Sequence, residues 1–189
     1  VAVDELYKSA VNFYDLQGKF SFSLNKNNKL IFNLYGSEDG FQLRSDTTYN
    51  YYNNLVSSSL NTRFENNWKM QNVLSLSAFG YNIANKKDSL RAFELIHSLQ
   101  NYSYKNLTEK TISENVKVSI GGELQLYFVE PGERKIPPNS ELTPVFTQTE
   151  RGLEYGLFAG TEFSPVNGLK LETGIRLAGY LSLADGQKN

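Results

Sequence analysis

The stretch NVKVSIGGELQLYF, residues 115–128, decides how the whole chain is interpreted. Its even-numbered positions from Val116 to Phe128 are apolar or glycine. The intervening positions are mostly polar: Lys117, Ser119, Gly121, Glu123, Gln125 and Tyr127. A period of two marks a β-strand with one apolar and one polar face, and this strand continues well past the roughly 5–6 residues usual in globular sheets. The sequence therefore predicts an unusually long strand with two chemically distinct faces.

The same alternation recurs along the chain and predicts about eight antiparallel strands and no helix. The apolar sets of six other strands fall within residues 16–24, 30–34, 56–64, 74–78, 153–163 and 169–183. One more strand is predicted within 93–107, where two registers fit about equally well. Asparagine-rich segments at 25–28 and 66–67, and the Ser-Pro-Val-Asn-Gly segment at 164–168, are typical of tight turns. The predicted fold is all-β, with an up-and-down strand order.

The connections between these strands alternate in length. Links within successive strand pairs are short, whereas those at 37–49, 82–91 and 130–150 are long and polar. In an up-and-down sheet, this alternation brings the short turns to one end and the long loops to the other. Outer-membrane barrels have short periplasmic turns and long external loops, whereas a soluble sandwich has no reason to sort its loops. The pattern therefore favours a transmembrane β-barrel.

Aromatic residues lie mostly toward the long-loop ends of the predicted strands. They are Tyr14, Tyr35, Tyr49, Tyr51, Tyr52, Tyr81, Tyr102, Tyr104, Phe128 and Tyr180. Such a girdle is expected where a barrel wall crosses the boundary between lipid and water. The alternative is ordinary cross-strand pairing of aromatic side chains in a soluble sheet.

Composition excludes several classes of protein. The 189 residues include 19 basic and 20 acidic side chains, and no basic cluster indicates nucleic-acid binding. Cysteine is absent and His97 is the single histidine, so neither a metal site nor a cofactor is predicted. No apolar run approaches the roughly 20 residues of a membrane helix, and residues 1–10 do not resemble a signal peptide. No catalytic motif is apparent, and the chain is not predicted to be an enzyme.

A barrel in hydrocarbon sorts its side chains by environment, because strands cross lipid only in a closed cylinder with alternate side chains facing lipid and lumen. The residues predicted to face the lumen are Lys117, Glu123, Gln125, Glu154, Glu162, Lys170, Glu172 and Arg176. Those predicted to face lipid are Val116, Val118, Ile120, Leu124, Leu126, Leu171, Ile175 and Leu177. A Lys or Arg on the lipid face would cost about 2–4 kcal/mol at the midplane, and none of the clear strands places one there.

Four segments resemble the barrel of a TonB-dependent outer-membrane receptor of the Bacteroidetes type. NFYDLQGKFSFSLNKNNKLIFNLYGSEDGF and SSLNTRFENNWKMQNVLSLSAFGY are similar to two successive strand pairs of that family. YFVEPGERKIPPNS resembles a strand end followed by a Pro-Gly-Glu external loop. GLEYGLFAGTEFSPVNGLKLETGIRLAGY looks like a strand, a short Pro-containing turn and a Gly-Ile-Arg strand. The likeness covers nearly the whole chain in the family's order.

This resemblance implies the function of the whole protein. The family has a signal peptide, a TonB-interacting motif, a plug and a 22-stranded barrel, so residues 1–189 are expected to be a barrel segment that lacks those other parts. Such Gram-negative receptors take up a scarce nutrient when TonB, which contacts the missing N-terminal region, pulls on the plug. Outer-membrane lipid and a surface lipoprotein are further candidate partners. The loop residues Glu130, Glu133, Arg134 and Lys135 are candidate ligand contacts, although a solvated loop tip is the simpler interpretation.

Two other interpretations remain open at this point. A self-contained eight-stranded outer-membrane barrel could act as an anchor or adhesin, because eight strands can close around a side-chain-filled interior. A soluble β-sandwich that binds carbohydrate belongs to a different class and would be soluble without detergent. Nothing in the sequence discriminates between iron chelates, cobalamin, oligosaccharides and peptides as the transported ligand.

Overall fold

The computed structural model describes residues 9–42, 47–86, 90–138, 141–145 and 147–183. These residues form eight strands: β1 (Ala10–Ser23), β2 (Asn28–Gln42), β3 (Thr47–Arg63), β4 (Trp68–Asn85), β5 (Phe93–Ser113), β6 (Val116–Lys135), β7 (Glu150–Val166) and β8 (Leu169–Ser182). They make one sheet in the order β1 to β8, and each strand pairs antiparallel with the next. The predicted all-β, up-and-down fold of eight strands is confirmed. No helix in the described residues has the length and apolar character needed to cross a membrane.

The strands are longer than the sequence pattern predicts. Residues 108–113, expected to be a polar connection, are the end of β5, and only Glu114 and Asn115 separate β5 from β6. The long connections expected at 37–49, 82–91 and 130–150 shorten to 43–46, 86–92 and 136–149. The first is therefore no longer than the links 24–27 and 64–67, and the predicted alternation of lengths holds only for the other two. Polar residues continue the strands because the backbone ladder, rather than apolar burial, satisfies their peptide groups. Apolar alternation therefore marks only the middle of each strand.

Three short turns use different local chemistry. Asn66 and Asn67 both adopt a positive φ, at 59° and 64°, which confirms the tight asparagine turn between β3 and β4. The turn after β1 is held instead by Asn25, whose Oδ1 accepts hydrogen bonds of 2.9 Å from the backbone N–H groups of residues 27 and 28. Between β7 and β8 the positive φ of 87° falls on Gly168, after a register shift between Phe163 and Val166.

The cross-strand register gives the sheet two faces of opposite character. We call the face that carries Leu124 the apolar face and the face that carries Gln125 the polar face. The fifth strand, whose register the sequence leaves open, has Tyr102 and Tyr104 on the apolar face, because they pair with Leu126 and Leu124. In the described residues no second sheet or helix covers either face, and no large side chain is fully buried. The two-layer sandwich considered above is not observed.

The two edges of the sheet are unpaired within the described residues. Contacts between strands link only sequence neighbours, from β1 with β2 to β7 with β8. Strands β1 and β8 therefore do not close the sheet on itself, as a self-contained eight-stranded barrel requires.

Aromatic rings covering glycines provide much of the packing within the sheet. The Tyr52 ring lies over Gly80 of the neighbouring strand, and the Phe158 ring lies over Gly121. A Cβ at either glycine would overlap the ring, so these positions require glycine for close approach. Such ring-over-glycine pairs are a recognised way to fix strand register.

Candidate functional site

The polar face carries a network of ion pairs across β5, β6, β7 and β8. The Arg176 guanidinium donates to Oε1 of Glu123, whose side chain is only 16% exposed. Lys117 Nζ lies 2.5 Å from Oε1 of Glu109. Lys170 Nζ lies 2.9 Å from Oε2 of Glu162 and 2.6 Å from Oε1 of Glu172. Positive and negative side chains are interspersed over these four strands, so the charges compensate one another on this face.

Uncharged polar side chains continue this network toward β2. Ser75 and Ser103 share a hydrogen bond of 2.5 Å between their hydroxyl groups, and Asn33 Nδ2 donates to Ser57 Oγ at 3.1 Å. Gln125 Oε1 accepts a hydrogen bond of 2.8 Å from the Tyr127 hydroxyl. The polar face is thus hydrogen-bonded along most of its width, as expected of a surface that meets water or other polar groups.

The structure separates the two predicted residue sets cleanly. The eight residues predicted to face a lumen all lie on the polar face. Lys117, Glu162 and Glu172 lie directly opposite one another on β6, β7 and β8, and the other five share their face because side chains alternate along each strand. The eight residues predicted to face lipid all lie on the apolar face. The environment that each face meets is a proposal, taken up below.

A cluster of aromatic rings lies on the polar face at the long-connection end. Phe41 stacks on Tyr49 with ring centroids 4.4 Å apart, and Tyr81 stacks on His97 at 4.9 Å. Tyr51 links the two pairs, because its centroid lies 6.1 Å from that of Phe41 and 6.1 Å from that of Tyr81. We call these five residues the aromatic cluster. It forms a continuous ring surface across β2, β3, β4 and β5.

The aromatic cluster corrects the predicted girdle. Of the ten girdle candidates, Tyr35, Tyr49, Tyr51, Tyr81 and Tyr180 lie on the polar face rather than the apolar face. The other five, Tyr14, Tyr52, Tyr102, Tyr104 and Phe128, lie on the apolar face. Position along the strand does not separate the two groups, whereas alternation within each strand, counted from an apolar residue such as Val56, Leu76 or Leu177, does.

Of the three buried side-chain atoms without a hydrogen-bond partner in the described residues, two lie on the polar face and the third, Asn82 Oδ1, lies on the apolar face. His97 Nδ1 and Asn101 Oδ1 are buried and have no hydrogen-bond partner in the described part of the chain. Both residues are in β5 and project to the polar face. Buried polar groups are normally paired, so His97 Nδ1 marks a place in the aromatic cluster where another molecule or segment can supply a hydrogen bond.

The predicted ligand contacts at the end of β6 do not point in one direction. A bulge at Pro131 and Gly132, where Gly132 has a φ of 117°, changes the alternation of the strand. Glu130 accepts a hydrogen bond of 2.8 Å from Ser98 Oγ on the apolar-face side. Glu133 and Lys135 lie on that side too, 3.7 Å apart. Arg134 instead projects to the polar-face side, with its guanidinium 6.0 Å from the Phe93 ring centroid.

Comparison with known proteins identifies the fold of this chain. No protein-family model and no curated protein matches the sequence. Solved structures do match. The outer-membrane ferripyoverdine receptor of Pseudomonas aeruginosa bound to ferripyoverdine has a TM-score of 0.74 and 13% identity over 93% of this chain and 31% of the receptor chain. The FpvAI–pyocin S2 complex matches with a TM-score of 0.74 and 13% identity, over 93% of this chain and 32% of the matched chain. The pyoverdine outer membrane receptor FpvA from Pseudomonas aeruginosa PAO1, bound to pyoverdine, matches with a TM-score of 0.70 and 12% identity. The match covers 95% of this chain and 34% of the receptor chain.

These neighbours are receptors of the outer membrane rather than enzymes. The chain spans about a third of the length of each of them, at 31–34% of the receptor chains. At 12–13% identity the likeness concerns the fold alone. This chain therefore has the fold of a segment of an outer-membrane receptor.

Proposed function

We propose that this chain is part of the barrel wall of a TonB-dependent outer-membrane receptor that takes up a scarce nutrient. The observation that carries the proposal is a single-layer sheet with one uncovered apolar face, on which Ile175 is 79% exposed and Leu177 is 70% exposed. A continuous apolar surface of this size is unfavourable in water and favourable against lipid. The segment Val116–Phe128 is roughly 40 Å long at about 3.3 Å per residue, which at a tilt of about 40° crosses roughly 30 Å.

The polar face then lines the interior of the barrel. Its ion pairs, such as Arg176 with Glu123, would face water or a plug, where charged groups keep their hydration or find partners. The unpaired edges of β1 and β8 require further strands in lipid, because backbone N–H and C=O groups have no partners there. A 22-stranded barrel, as in the family that the sequence resembles, would supply them.

In this proposal the chain performs binding and conformational work without bond chemistry. TonB acts on a plug and an N-terminal segment that lie outside this chain. A surface lipoprotein at the long-connection end is a further proposed partner. The sequence resemblance to TonB-dependent receptors and the fold likeness to outer-membrane receptors both support this arrangement.

The aromatic cluster is the proposed ligand contact of this wall segment. It lies on the lumen side at the end of the long connections, which would be external. Its ring faces can stack on a ligand, and His97 Nδ1 can form a hydrogen bond that it lacks in the described residues. Arg134 projects to the same side and adds a positive charge at the rim. Glu130, Glu133 and Lys135 project to the apolar-face side, so we propose that they contact molecules outside the barrel rather than a ligand in its lumen.

The test is energised uptake by the full-length protein. We expect the protein in the outer-membrane fraction, and uptake of its nutrient in cells with TonB and a proton gradient. Candidate iron chelates, cobalamin and oligosaccharides are screened as radiolabelled probes. Uptake should stop when TonB is deleted or the gradient is collapsed. Recovery of the protein in the soluble fraction would refute the proposal, and binding without energised uptake would favour an anchor or adhesin.

A further inference from the structure

The apolar face carries one isolated positive charge near the short turns. Among the described strands, the other charged residues of that face lie near the long connections: Glu38, Glu94, Glu130, Glu133, Lys135 and Arg151. The exception is Lys110 of β5, which pairs with Trp68 of β4. Its Nζ lies 5.0 Å from the Trp68 ring centroid, and both side chains are half-buried. A cation and an indole held together at the margin of an apolar surface form a typical interfacial pair.

A hydrogen-bonded cluster lies between Lys110 and the centre of the apolar face. Asn72 Oδ1 accepts hydrogen bonds of 2.8 Å from both the Tyr104 hydroxyl and Asn106 Nδ2. Asn106 Oδ1 accepts from Thr108 Oγ1 at 3.2 Å. The amide oxygens are thus engaged within the cluster, whereas each amide NH₂ group has a further N–H to donate. The cluster therefore suits a ligand rich in acceptor oxygens.

Farther toward the centre, an apolar groove of about 620 Å³ is cut into the same face. Its walls include Phe32, Leu74, Leu76 and Tyr102. The groove exists because Ser58, a small residue, stands between Phe32 and Leu74 in the same cross-strand row. Leu74 remains 58% exposed, so the walls are open to an outside occupant. An aliphatic chain is the occupant that matches such a lining.

These three features lie in order along the seam between β4 and β5. Lys110 comes first, then the Asn72–Asn106 pair, and then Tyr104 and Tyr102 at the groove. The distance from Lys110 to Tyr102 is roughly 26 Å at about 3.3 Å per residue. A cation, a set of N–H donors and an apolar channel match the phosphate, the ester carbonyls and an acyl chain of a glycerophospholipid, in the same order.

We propose that this seam binds one anionic glycerophospholipid, with its phosphate at Lys110 and an acyl chain in the groove beside Ser58. The inference rests on the proposed membrane placement, in which the short turns lie at the periplasmic side. The head group then belongs to the periplasmic leaflet, on the same side as Lys110. Charge complementarity selects an anionic head group, because Lys110 is the charged side chain that this end of the apolar face presents.

The experiment measures lipid bound to the full-length protein that contains this chain. The purified protein in mild detergent is titrated with phosphatidylglycerol, or with diacylglycerol, which lacks the phosphate, and adducts are counted by native mass spectrometry. We expect wild type to prefer phosphatidylglycerol. Lys110→Gln should weaken that adduct roughly fivefold and remove the preference, as expected for one partly exposed charge contact. Ser58→Phe should weaken both lipids, because it fills the groove.

The matched control is Lys19→Gln, which removes a lysine from the exposed polar face and should leave both adducts unchanged. All variants are compared as folded protein from outer membranes. Wild-type lipid binding by Lys110→Gln would overturn the lipid site. If uptake remains TonB-dependent in that case, the receptor proposal stands. Lipid binding that depends on Lys110 without energised uptake would overturn the receptor proposal alone.

Discussion

Adjacent residues in this sheet meet opposite surroundings. Leu124 is 48% exposed on the apolar face. Gln125, the next residue, is hydrogen-bonded on the polar face to Tyr127 at 2.8 Å and Asn101 at 3.3 Å. In a soluble protein the exposure of Leu124 would be unfavourable, whereas against lipid it is the expected state. The proposed environment of each face can therefore be tested one side chain at a time.

An arginine at each of these two positions should have very different effects. Leu124→Arg puts a charge in lipid and should destabilise the barrel by about 2–4 kcal/mol. Gln125→Arg loses two hydrogen bonds. The new arginine can form an ion pair with Glu154, which lies directly opposite residue 125 on β7. Heat-modifiable migration of the full-length protein from outer membranes reports assembly, and equal amounts of folded protein for both variants would contradict the proposed sidedness.

The Glu123–Arg176 pair should contribute to the stability of the wall. Arg176→Met leaves the mostly buried Glu123 carboxylate without its partner, and we expect a loss of roughly 1–3 kcal/mol. Glu123→Gln combined with Arg176→Met should recover part of that loss, because no unpaired carboxylate remains. Urea unfolding of the full-length protein in lipid vesicles measures both. A double variant as unstable as the sum of the single variants would show that the two groups do not interact.

At the scale of elements, the β3–β4 hairpin depends on asparagines that adopt a positive φ. Asn66→Ala should destabilise the hairpin by about 1–2 kcal/mol, because alanine lacks the short polar side chain whose local hydrogen bonds let asparagine tolerate the left-handed conformation. Asn66→Gly is the matched control and should be close to neutral. Refolding into detergent micelles, followed by tryptophan fluorescence of the neighbouring Trp68, compares the two. A stability loss in the glycine variant equal to that of alanine would show that the asparagine side chain matters more than φ.

The aromatic cluster joins four strands, and its rings are available on the proposed lumen side. Tyr81→Leu removes the ring that stacks on His97 and should weaken ligand binding by the full-length protein at least several-fold. Tyr102→Leu is the control: it removes an exposed ring from the apolar face of the neighbouring strand and should leave ligand binding unchanged. Binding isotherms with the nutrient found by the uptake screen distinguish the two variants. Equal affinities would exclude the cluster as a ligand contact.

At the scale of the whole molecule, the open edges of the sheet determine how it can exist. Strands β1 and β8 each present a row of backbone groups without a neighbouring strand in the described residues. Residues 1–189 expressed alone should therefore aggregate or pair edge to edge in detergent, whereas the full-length protein should be monodisperse. Size-exclusion chromatography with light scattering compares them. A folded monomer of the isolated chain would contradict the proposal that it is a segment of a larger barrel.

Much of the candidate site follows from local sequence. The alternation from Val116 to Phe128 places Glu123 and Gln125 on one face and Leu124 on the other without any tertiary information. The positive φ at Asn66 and Asn67 also follows from residue type. Strand ends are less predictable, because polar segments such as 108–113 extend strands through backbone pairing that leaves no apolar pattern.

The strand count, the period and the two faces follow from the order of the residues, because side-chain alternation is a property of each strand alone. Which side chains become neighbours across strands depends on the folded sheet, because register involves partners far apart in the chain. The tertiary structure brings Tyr81 against His97, joins Asn72 to Asn106, and through the bulge at Gly132 places Glu133 on the same side as Glu130. The apolar and polar faces are distinguished by local pattern, whereas the surfaces on either face are assembled by pairing between strands.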